Sequence, residues 1–377
     1  MEQLLFFELL DKYLAGKATR EEQILLEEYY TRLDKTNQSA LTLEQEQALQ
    51  QIMLQNIRRE IHTTPPVNPV KRINYFTRYA AAAVILIAFG IGAYVYFRPA
   101  KPETMAIVKK DIAPGSNKAV LTLSSGHQIT LEDAKNGNLA QQGSSVIHKA
   151  DNSLVTYQAG KPGNAAADAN ELNTITTPRG GQYQVILPDG THVWLNAVSS
   201  IRFPVAFAGN VRNVETSGEV YFEVAKDARK PFTVTTAGQT VRVLGTHFNV
   251  MAYPEENNII TTLLEGSVKI TKNNISKMLK PGEQAIVRQD VKIMPADVDD
   301  AVAWKNGITS FNDADIKSIM RKVSRWYDVD IEYQGQVSDR LFTGSISRKS
   351  NLSALLKILT LNHIRFSIEG KRLIVKQ

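Results

Sequence analysis

Hydrophobic residues change their spacing twice along this chain. Over residues 1–61 they recur at three- and four-residue steps, the signature of amphipathic helices. Leu4, Phe7, Leu10 and Leu14 form one face, and Gly16 ends that helix. Thr19 followed by Glu22 makes a capping box for a second helix, whose face carries Leu25, Leu26, Tyr29, Tyr30 and Leu33. A third, from about Leu43 to Ile61, shows Leu49, Ile52, Met53 and Ile57. Three short helices form a marginal bundle, and surplus apolar faces of this kind suit a partner. The proline-rich stretch Thr63–Pro69 then reads as a linker.

Next comes YAAAAVILIAFGIGAYVYF, Tyr79 to Phe97, 19 residues without a charge, amide or proline. As a helix it would rise about 28 Å, close to the thickness of a bilayer's hydrocarbon core. Tyr75, Phe76 and Tyr79 at one end, with Tyr94, Tyr96 and Phe97 at the other, suit the interfacial belts, and Arg78 and Arg98 bracket the span. The pattern predicts a single transmembrane helix; a buried core helix is the competing reading. A cleaved signal peptide is excluded by the 78 residues in front. Lys71, Arg72 and Arg78 before the helix against Arg98 and Lys101 after it favour a cytoplasmic N-terminus.

Beyond the span the period becomes two. VLTLSSGHQITL (Val120–Leu131) alternates about a Ser-Ser-Gly turn, and QVILPDGTHVWL (Gln184–Leu195) about Pro188-Asp189-Gly190. The two segments match position by position, and Val234–Val243 is a weaker echo. Repeated hairpins with glycine in the turn predict stacked antiparallel strands, as in a sandwich, a roll or a short solenoid. Residues Gly160–Asn173 read as a flexible insertion. The last 70 residues alternate element types. Strand Ile308–Phe311 leads into a helix Asp313–Tyr327 capped by Asp313. Strands Val329–Tyr333 and Leu341–Ile346, a helix Asn351–Thr360, and strands Arg365–Ile368 and Arg372–Val375 follow. This is a compact α+β order, βαββαβ-like.

The chain is therefore expected to be multidomain. A small α-helical bundle (1–62), a linker (63–78) and one transmembrane helix (79–97) come first. A linker with the first hairpin (98–175), an all-β domain (176–295), a linker (296–307) and the α+β module (308–377) follow. The net charge of +6 is unevenly spread. Residues 1–50 carry 5 Lys+Arg against 10 Asp+Glu, whereas residues 308–377 carry 12 against 7. A basic excess confined to the C-terminus gives no support to direct nucleic-acid binding.

Chemistry is sparse. With no cysteine there are no disulfides, cysteine nucleophiles or thiolate metal sites. The six histidines, at 62, 127, 148, 192, 247 and 363, share no helical face or metal-binding spacing. Phosphate-loop, dinucleotide and nucleophile-elbow motifs are absent. Pro188-Asp189-Gly190 and Ala237-Gly238 read as turn chemistry, and Trp194, Trp304 and Trp326 as core anchors. No enzyme activity, cofactor, metal or small-molecule substrate is predicted.

Five linked blocks carry a resemblance. Thr176–Pro204 (TTPRGGQYQVILPDGTHVWLNAVSSIRFP), Ser217–Val234, Val243–Glu255, Thr261–Ile270 and Leu279–Ala285, in that order, resemble the FecR family of membrane-bound anti-sigma regulators. Tyr13–Tyr30 looks like the cytoplasmic segment of Bacteroidota-type members, and the C-terminal region is similar to their secretin/TonB short N-terminal-like module. The poorest match lies around residues 135–173.

The resemblance implies that the N-terminal domain holds an extracytoplasmic-function sigma factor at the bacterial inner membrane. The periplasmic part would contact the signalling domain of an outer-membrane TonB-dependent transporter, and regulated proteolysis would free the sigma factor. It also implies N-terminus in, C-terminus in the periplasm. Candidate sigma-factor contacts are Glu21, Glu22, Leu25, Glu27, Glu28 and Tyr29, against a reading of the glutamates as a solvated face. Arg321, Lys322 and Arg325 are candidate contacts for the periplasmic partner. In some relatives a Gly-Thr bond breaks by intramolecular acyl shift, which marks Gly245 and Thr246, where a plain tight turn is the competing reading. A different class of function, a membrane-tethered periplasmic glycan- or envelope-binding module without a sigma partner, leaves the three N-terminal helices without a use.

Overall fold

The computed structural model describes residues 19–24, 111–159, 170–336, 339–361 and 364–376. The predicted span at 79–97, and the helical segment at 1–62 apart from residues 19–24, lie outside these. Among the described residues no helix is long and apolar enough to cross a membrane. Residues 20–24 are helical, and the expected capping box closes on itself. The Thr19 N–H donates to Glu22 Oε2 at 2.8 Å, and the Glu22 N–H donates to Thr19 Oγ1 at 3.3 Å.

From residue 116 the chain is built of short strands. The first group is β1 (Ser116–Asn117), β2 (Val120–Thr122), β3 (Gln128–Thr130), β4 (Gly137–Gln142), β5 (Ser145–Lys149) and β6 (Leu154–Ala159). Next come β7 (Leu172–Thr177), β8 (Gly181–Ile186), β9 (His192–Leu195), β10 (Ser199–Pro204), β11 (Arg212–Glu223), β12 (Phe232–Thr236) and β13 (Gln239–Val243). The last are β14 (His247–Ala252), β15 (Ile259–Glu265), β16 (Val268–Lys272), β17 (Ile275–Leu279), β18 (Glu283–Val287) and β19 (Val291–Pro295).

All but β1, which pairs alongside β8, form two sheets over one core. The first has the order β3–β2–β7–β10–β11–β12–β13–β16–β17. The second runs β4–β5–β6–β8–β9–β11–β14–β15–β18–β19. Burial alternates along the strands, with Tyr183 and Val185 of β8, Val193 and Leu195 of β9, and Phe232 and Val234 of β12 all turned inward. Phe222 of β11 stacks on Phe248 with ring centroids 5.0 Å apart and meets Phe232 of the facing sheet at 6.1 Å. These rings join the two layers.

β11 belongs to both sheets. Arg212–Glu215 pair with β12 in the first, and Gly218–Glu223 pair with β14 in the second. The change of sheet falls at Gly218, whose φ is +78°. This corrects the expectation of purely antiparallel hairpins, because β11 and β12 pair in parallel, as do β1 with β8 and β6 with β8. A parallel return needs a crossover of a dozen or more residues. The second half of β11 and the loop after it supply that crossover by passing through the other sheet.

The two matched hairpins are real and alike. In each, a three-residue loop ends in a glycine, φ +84° at Gly126 and +82° at Gly190, whose N–H donates to Leu123 O and Leu187 O respectively. The echo at Val234–Val243 is a tighter hairpin that pairs Thr236 with Gln239 across Ala237-Gly238. Asp189 accepts from the backbone and hydroxyl of Thr191 and pairs with the buried Arg212 at 2.7 Å, so that loop is structural. The hairpin β2–β3 joins β7 in the first sheet, so it shares the core of the strands that follow. β7 begins at Leu172, and Asn173 is fully buried, donating to Tyr157 Oη and Gln142 Oε1. The insertion therefore ends earlier than expected.

The expected linker at 296–307 contains a helix, α1 (Val298–Val302), with Asp297 accepting from the Asp300 N–H. Then come β20 (Ile308–Asp315), α2 (Ile316–Tyr327), β21 (Asp330–Gln334), β22 (Leu341–Ser347), α3 (Leu352–Thr360), β23 (Arg365–Glu369) and β24 (Arg372–Lys376). All the elements expected in this module are present. The helix cap is Asp315 rather than Asp313, because the strand continues through an irregularity between Phe311 and Ala314 and Asp315 receives the Ser318 N–H. β20 pairs with β22, and β24 lies between β21 and β23.

Among the described glycines, Gly218 is the one where an added side chain would meet the closest atoms. A Cβ there would lie 2.4 Å from Ser199 Oγ and 2.5 Å from Val198 O. Gly218→Ala is expected to cost roughly 2–4 kcal/mol in urea unfolding, from strain and collision together. Gly126→Ala, with similar φ but nothing within 4 Å, is expected to cost only about 1–2 kcal/mol. Equal losses at the two positions would contradict the sheet-crossing role.

Candidate functional site

Three chain passages between the sheets lie side by side at one end of the β domain. The turn Pro178–Gly181 carries the chain from β7 to β8, with Gly180 at φ +68° and the Gly181 N–H donating to Pro178 O. The segment Asn196–Val198 carries it from β9 to β10, and the Val198 N–H also donates to Pro178 O. The third passage is Gly218, after which the Glu219 N–H donates to Ser199 Oγ. The C-terminal module docks on these corners.

The helix α2 supplies the buried ion pairs of this contact. Its amphipathic spacing buries Ile316, Ile319, Met320 and Val323 within the module and turns Arg321 and Arg325 toward the β domain. Arg325 Nη1 pairs with Glu255 Oε1 at 2.6 Å and Glu256 Oε1 at 3.1 Å, and its guanidinium lies 3.9 Å over the Tyr253 ring. Arg321 pairs with Glu256 at 2.8 Å. Gly180 N–H caps the Arg325 carbonyl at 2.7 Å, close to the helix end. Arg179 reaches Ser324 Oγ, the Val329 carbonyl and Asp330 at the same end, where a cation also favours the helix dipole. Exposure separates these pairs. Arg325 and Glu256 are 10 % and 13 % exposed at their side chains, whereas Arg179 and Asp330 are 37 % and 69 % exposed. An exposed pair is worth at most about 1 kcal/mol, while breaking a buried one costs about 3–5 kcal/mol. Arg325 is the anchor.

Trp326 packs against Gly115, where a Cβ would lie 2.6 Å from the indole, and donates Nε1–H to Arg348 O. Arg348 lies over the Trp326 ring at 3.6 Å and donates Nη2–H to Asn196 Oδ1 at 2.8 Å. Asn196 passes the polarity on, donating to Glu219 Oε2 at 2.7 Å, and Asn249 donates to the other Glu219 oxygen at 3.1 Å. Trp304, just after α1, donates to Asn249 Oδ1 at 3.4 Å. Lys305 pairs with Glu223 at 3.0 Å and lies over the rings of Trp194 and Tyr221. A continuous polar relay thus runs from the module through the β domain to the α1 segment. Burial pushes the Arg348 guanidinium down to about 10, with the Glu219 charge acting in the opposite sense. Arg348 stays cationic at neutral pH. Beside this relay lies a cleft of about 430 Å³ between the β domain, α1 and the module.

Of the three expected partner contacts, Arg321 and Arg325 thus face acidic residues of this same chain. Lys322 remains exposed, with Nζ donating to Ser310 O. Gly245 and Thr246 lie in the bend between β13 and β14. Gly245 has φ +153°, and a Cβ on it would strike Lys226. The Thr246 hydroxyl is buried and donates to Ser267 O at 3.1 Å. Among the candidate sigma contacts Glu21 is exposed and Glu22 half-buried; Leu25, Glu27, Glu28 and Tyr29 lie outside the described residues. Trp304 and Trp326 are buried and Trp194 half-buried. Among the described residues no group of three side chains is arranged to hold a metal ion. Sequence reasoning missed Arg179, Glu255, Glu256, Asn196 and Arg348. The adjacent acidic pair after Tyr253-Pro254, set against a module with excess positive charge, was the available signal.

Glu256 makes the docking testable by acid. Burial works to raise its carboxyl, and the Arg321 hydrogen bond with the charges of Arg325 and Arg321 outweighs burial, holding it below the ordinary 4.5. A carboxyl depressed in the folded state contributes stability that is complete above its unfolded value and is lost as pH falls through the lowered one. In native hydrogen exchange the α2 amides should open more readily below about pH 4.5. Glu256→Gln should already raise their opening about tenfold at pH 7, equivalent to about 1.4 kcal/mol, and flatten the acid response. Unchanged α2 protection in that variant would remove Glu256 from the anchor.

Two family models match the chain in succession, the FecR protein over residues 173–269 and the FecR C-terminal region over residues 308–375. Two crystal structures of a candidate anti-sigma factor from Parabacteroides distasonis are similar to it, each at 34 % identity. They cover 54 % and 55 % of this chain and 97 % and 99 % of their own, with TM-scores of 0.51 and 0.52. No curated protein matches. With both domains of the joint matched in order, and nearly the whole of a solved relative covered at that identity, the chain belongs to the FecR family.

Proposed function

We propose that this chain is a transmembrane anti-sigma factor that sequesters an extracytoplasmic-function sigma factor and relays a signal from an outer-membrane TonB-dependent transporter. Residues 1–62 bind the sigma factor on the cytoplasmic face of a bacterial inner membrane, and residues 79–97 cross that membrane. The β domain and the C-terminal module lie in the periplasm, where the module meets the transporter's signalling domain. The observation that carries this reading is family membership across both domains of the joint, supported by solved relatives that carry the anti-sigma description. The 19-residue apolar stretch with its aromatic and arginine flanks supports the membrane crossing.

The acidic first 50 residues, net −5, give the capture step a physical basis. A sigma factor contacts DNA through basic surfaces, and an acidic helical clamp with apolar faces would cover them. Full-length chain should co-purify with an extracytoplasmic-function sigma factor of the same organism when the two are co-expressed. Reversing Glu21, Glu22, Glu27 and Glu28 to lysine should weaken capture at least about tenfold, with greater salt sensitivity in the wild type than in the variant. Full capture by the reversed variant would defeat the electrostatic clamp, and no capture by the wild type would defeat the anti-sigma reading itself.

A further inference from the structure

Two charged side chains of opposite sign in the wall of the cleft beside the polar relay each keep one unpaired atom. Arg348 is only 6 % exposed, and its Nε is buried without a hydrogen-bond partner among the described residues. Across the described residues few buried side-chain atoms are in this state, and Asp300 Oδ1 is another. Both residues line the same cleft. A buried polar atom left unpaired costs about 1–3 kcal/mol, more where the group is charged. Such a pair of costs in one concave site marks a place that a ligand completes.

The other ionisable groups around the cleft are accounted for. Both Glu219 oxygens are taken by Asn196 and Asn249. Arg325 is paired with Glu255 and Glu256, Lys322 donates to Ser310 O, and Asp297 caps α1. What lacks a partner is one guanidinium N–H and one carboxylate oxygen, both buried in the cleft wall, which is otherwise made of amides, hydroxyls and small apolar surfaces such as Met251 and Ile260. A lone anion would satisfy Arg348 while facing Asp300 and Glu219, and a lone cation would face Arg348. A molecule carrying both charges meets neither conflict. The volume of about 430 Å³ lies in the range of small-ligand sites.

We propose that this cleft binds a small zwitterion of the amino-acid or short-peptide class, its carboxylate on Arg348 and its ammonium on Asp300. The proposal does not rest on the sigma-factor reading, since it concerns only the β domain, α1 and the module. Bound there, the ligand touches all three at once and so strengthens the docking of the module on the β domain.

Calorimetric titration of the full-length chain with triglycine tests it. Saturable one-to-one binding is expected, with triglycine amide, which lacks the carboxylate, and N-acetyltriglycine, which lacks the ammonium, each at least about tenfold weaker. Arg348→Gln should make triglycine and its amide bind alike, and Asp300→Asn should do the same for triglycine and its acetylated form. Because Arg348→Gln also disturbs the relay, Met251→Trp provides a second arm. It fills the cleft from β14 without removing any of the bonds described, and should abolish binding. Failure of triglycine to saturate by about 10 mM, equal binding of the capped peptides, or binding that survives Met251→Trp would each overturn the proposal.

Discussion

Arg325 loses most of its water where α2 meets the β domain, and a desolvated guanidinium is held there only because Glu255 and Glu256 face it and Tyr253 lies beneath it. The remaining contacts of the joint depend on that placement. The same residue offers its carbonyl to Gly180, which seats the end of α2 on the Pro178–Gly181 turn. The next residue, Trp326, covers Gly115 and carries Arg348 on its other side. From Arg348 the network continues through Asn196 to Glu219. Arg179 adds bonds at the rim, but their exposure makes them secondary.

The docking face exists because of how the β domain is wound. A strand that serves two sheets requires a sharp change of direction, and β11 makes it at Gly218. The neighbouring passages at 178–181 and 196–198 meet it there, tied by Val198 N–H to Pro178 O and by Glu219 N–H to Ser199 Oγ. These corners leave backbone groups and short polar side chains at one end of the sandwich. The module meets such groups with polar partners of its own, the Arg325 carbonyl accepting from the Gly180 N–H and Arg348 donating to Asn196 Oδ1. Sheet crossing and domain docking are thus two consequences of the same corners. The corners at 178–181 and 196–198 fall within the Thr176–Pro204 block that carries the family resemblance, and Gly218 falls within the Ser217–Val234 block.

Much of the β domain was legible from the period-two pattern and the glycine turns. Leu121, Leu123, Ile129 and Leu131, with their counterparts Val185 to Leu195, announced two hairpins of one type, and the loop geometry at Gly126 and Gly190 is the same. The C-terminal module was legible in full as an order of elements, with an error of two residues at the α2 cap. The parallel pairing of β11 with β12 was not legible. Periodicity reports which face of a strand is buried but not that one strand changes sheets, and Gly218 looks in sequence like any turn glycine. The joint was hidden for a related reason. Arg321 and Arg325 on a helix read equally well as surface charges, and only three-dimensional proximity to Glu255 and Glu256 shows them turned inward. The short helix at Val298–Val302 was missed although Asp297 and Asp300 carry a capping signal.

The β domain and the C-terminal module form a single body through this joint. The chain has no cysteine, so two introduced cysteines give unique spin-label sites. Lys269 on β16 and Lys349 beyond β22 are both exposed. Pulsed electron spin resonance between labels at these positions should give one narrow distance distribution at neutral pH, broadening when Arg325 is replaced by methionine. A broad or two-peaked distribution in the otherwise unaltered chain would mean that the two domains move independently.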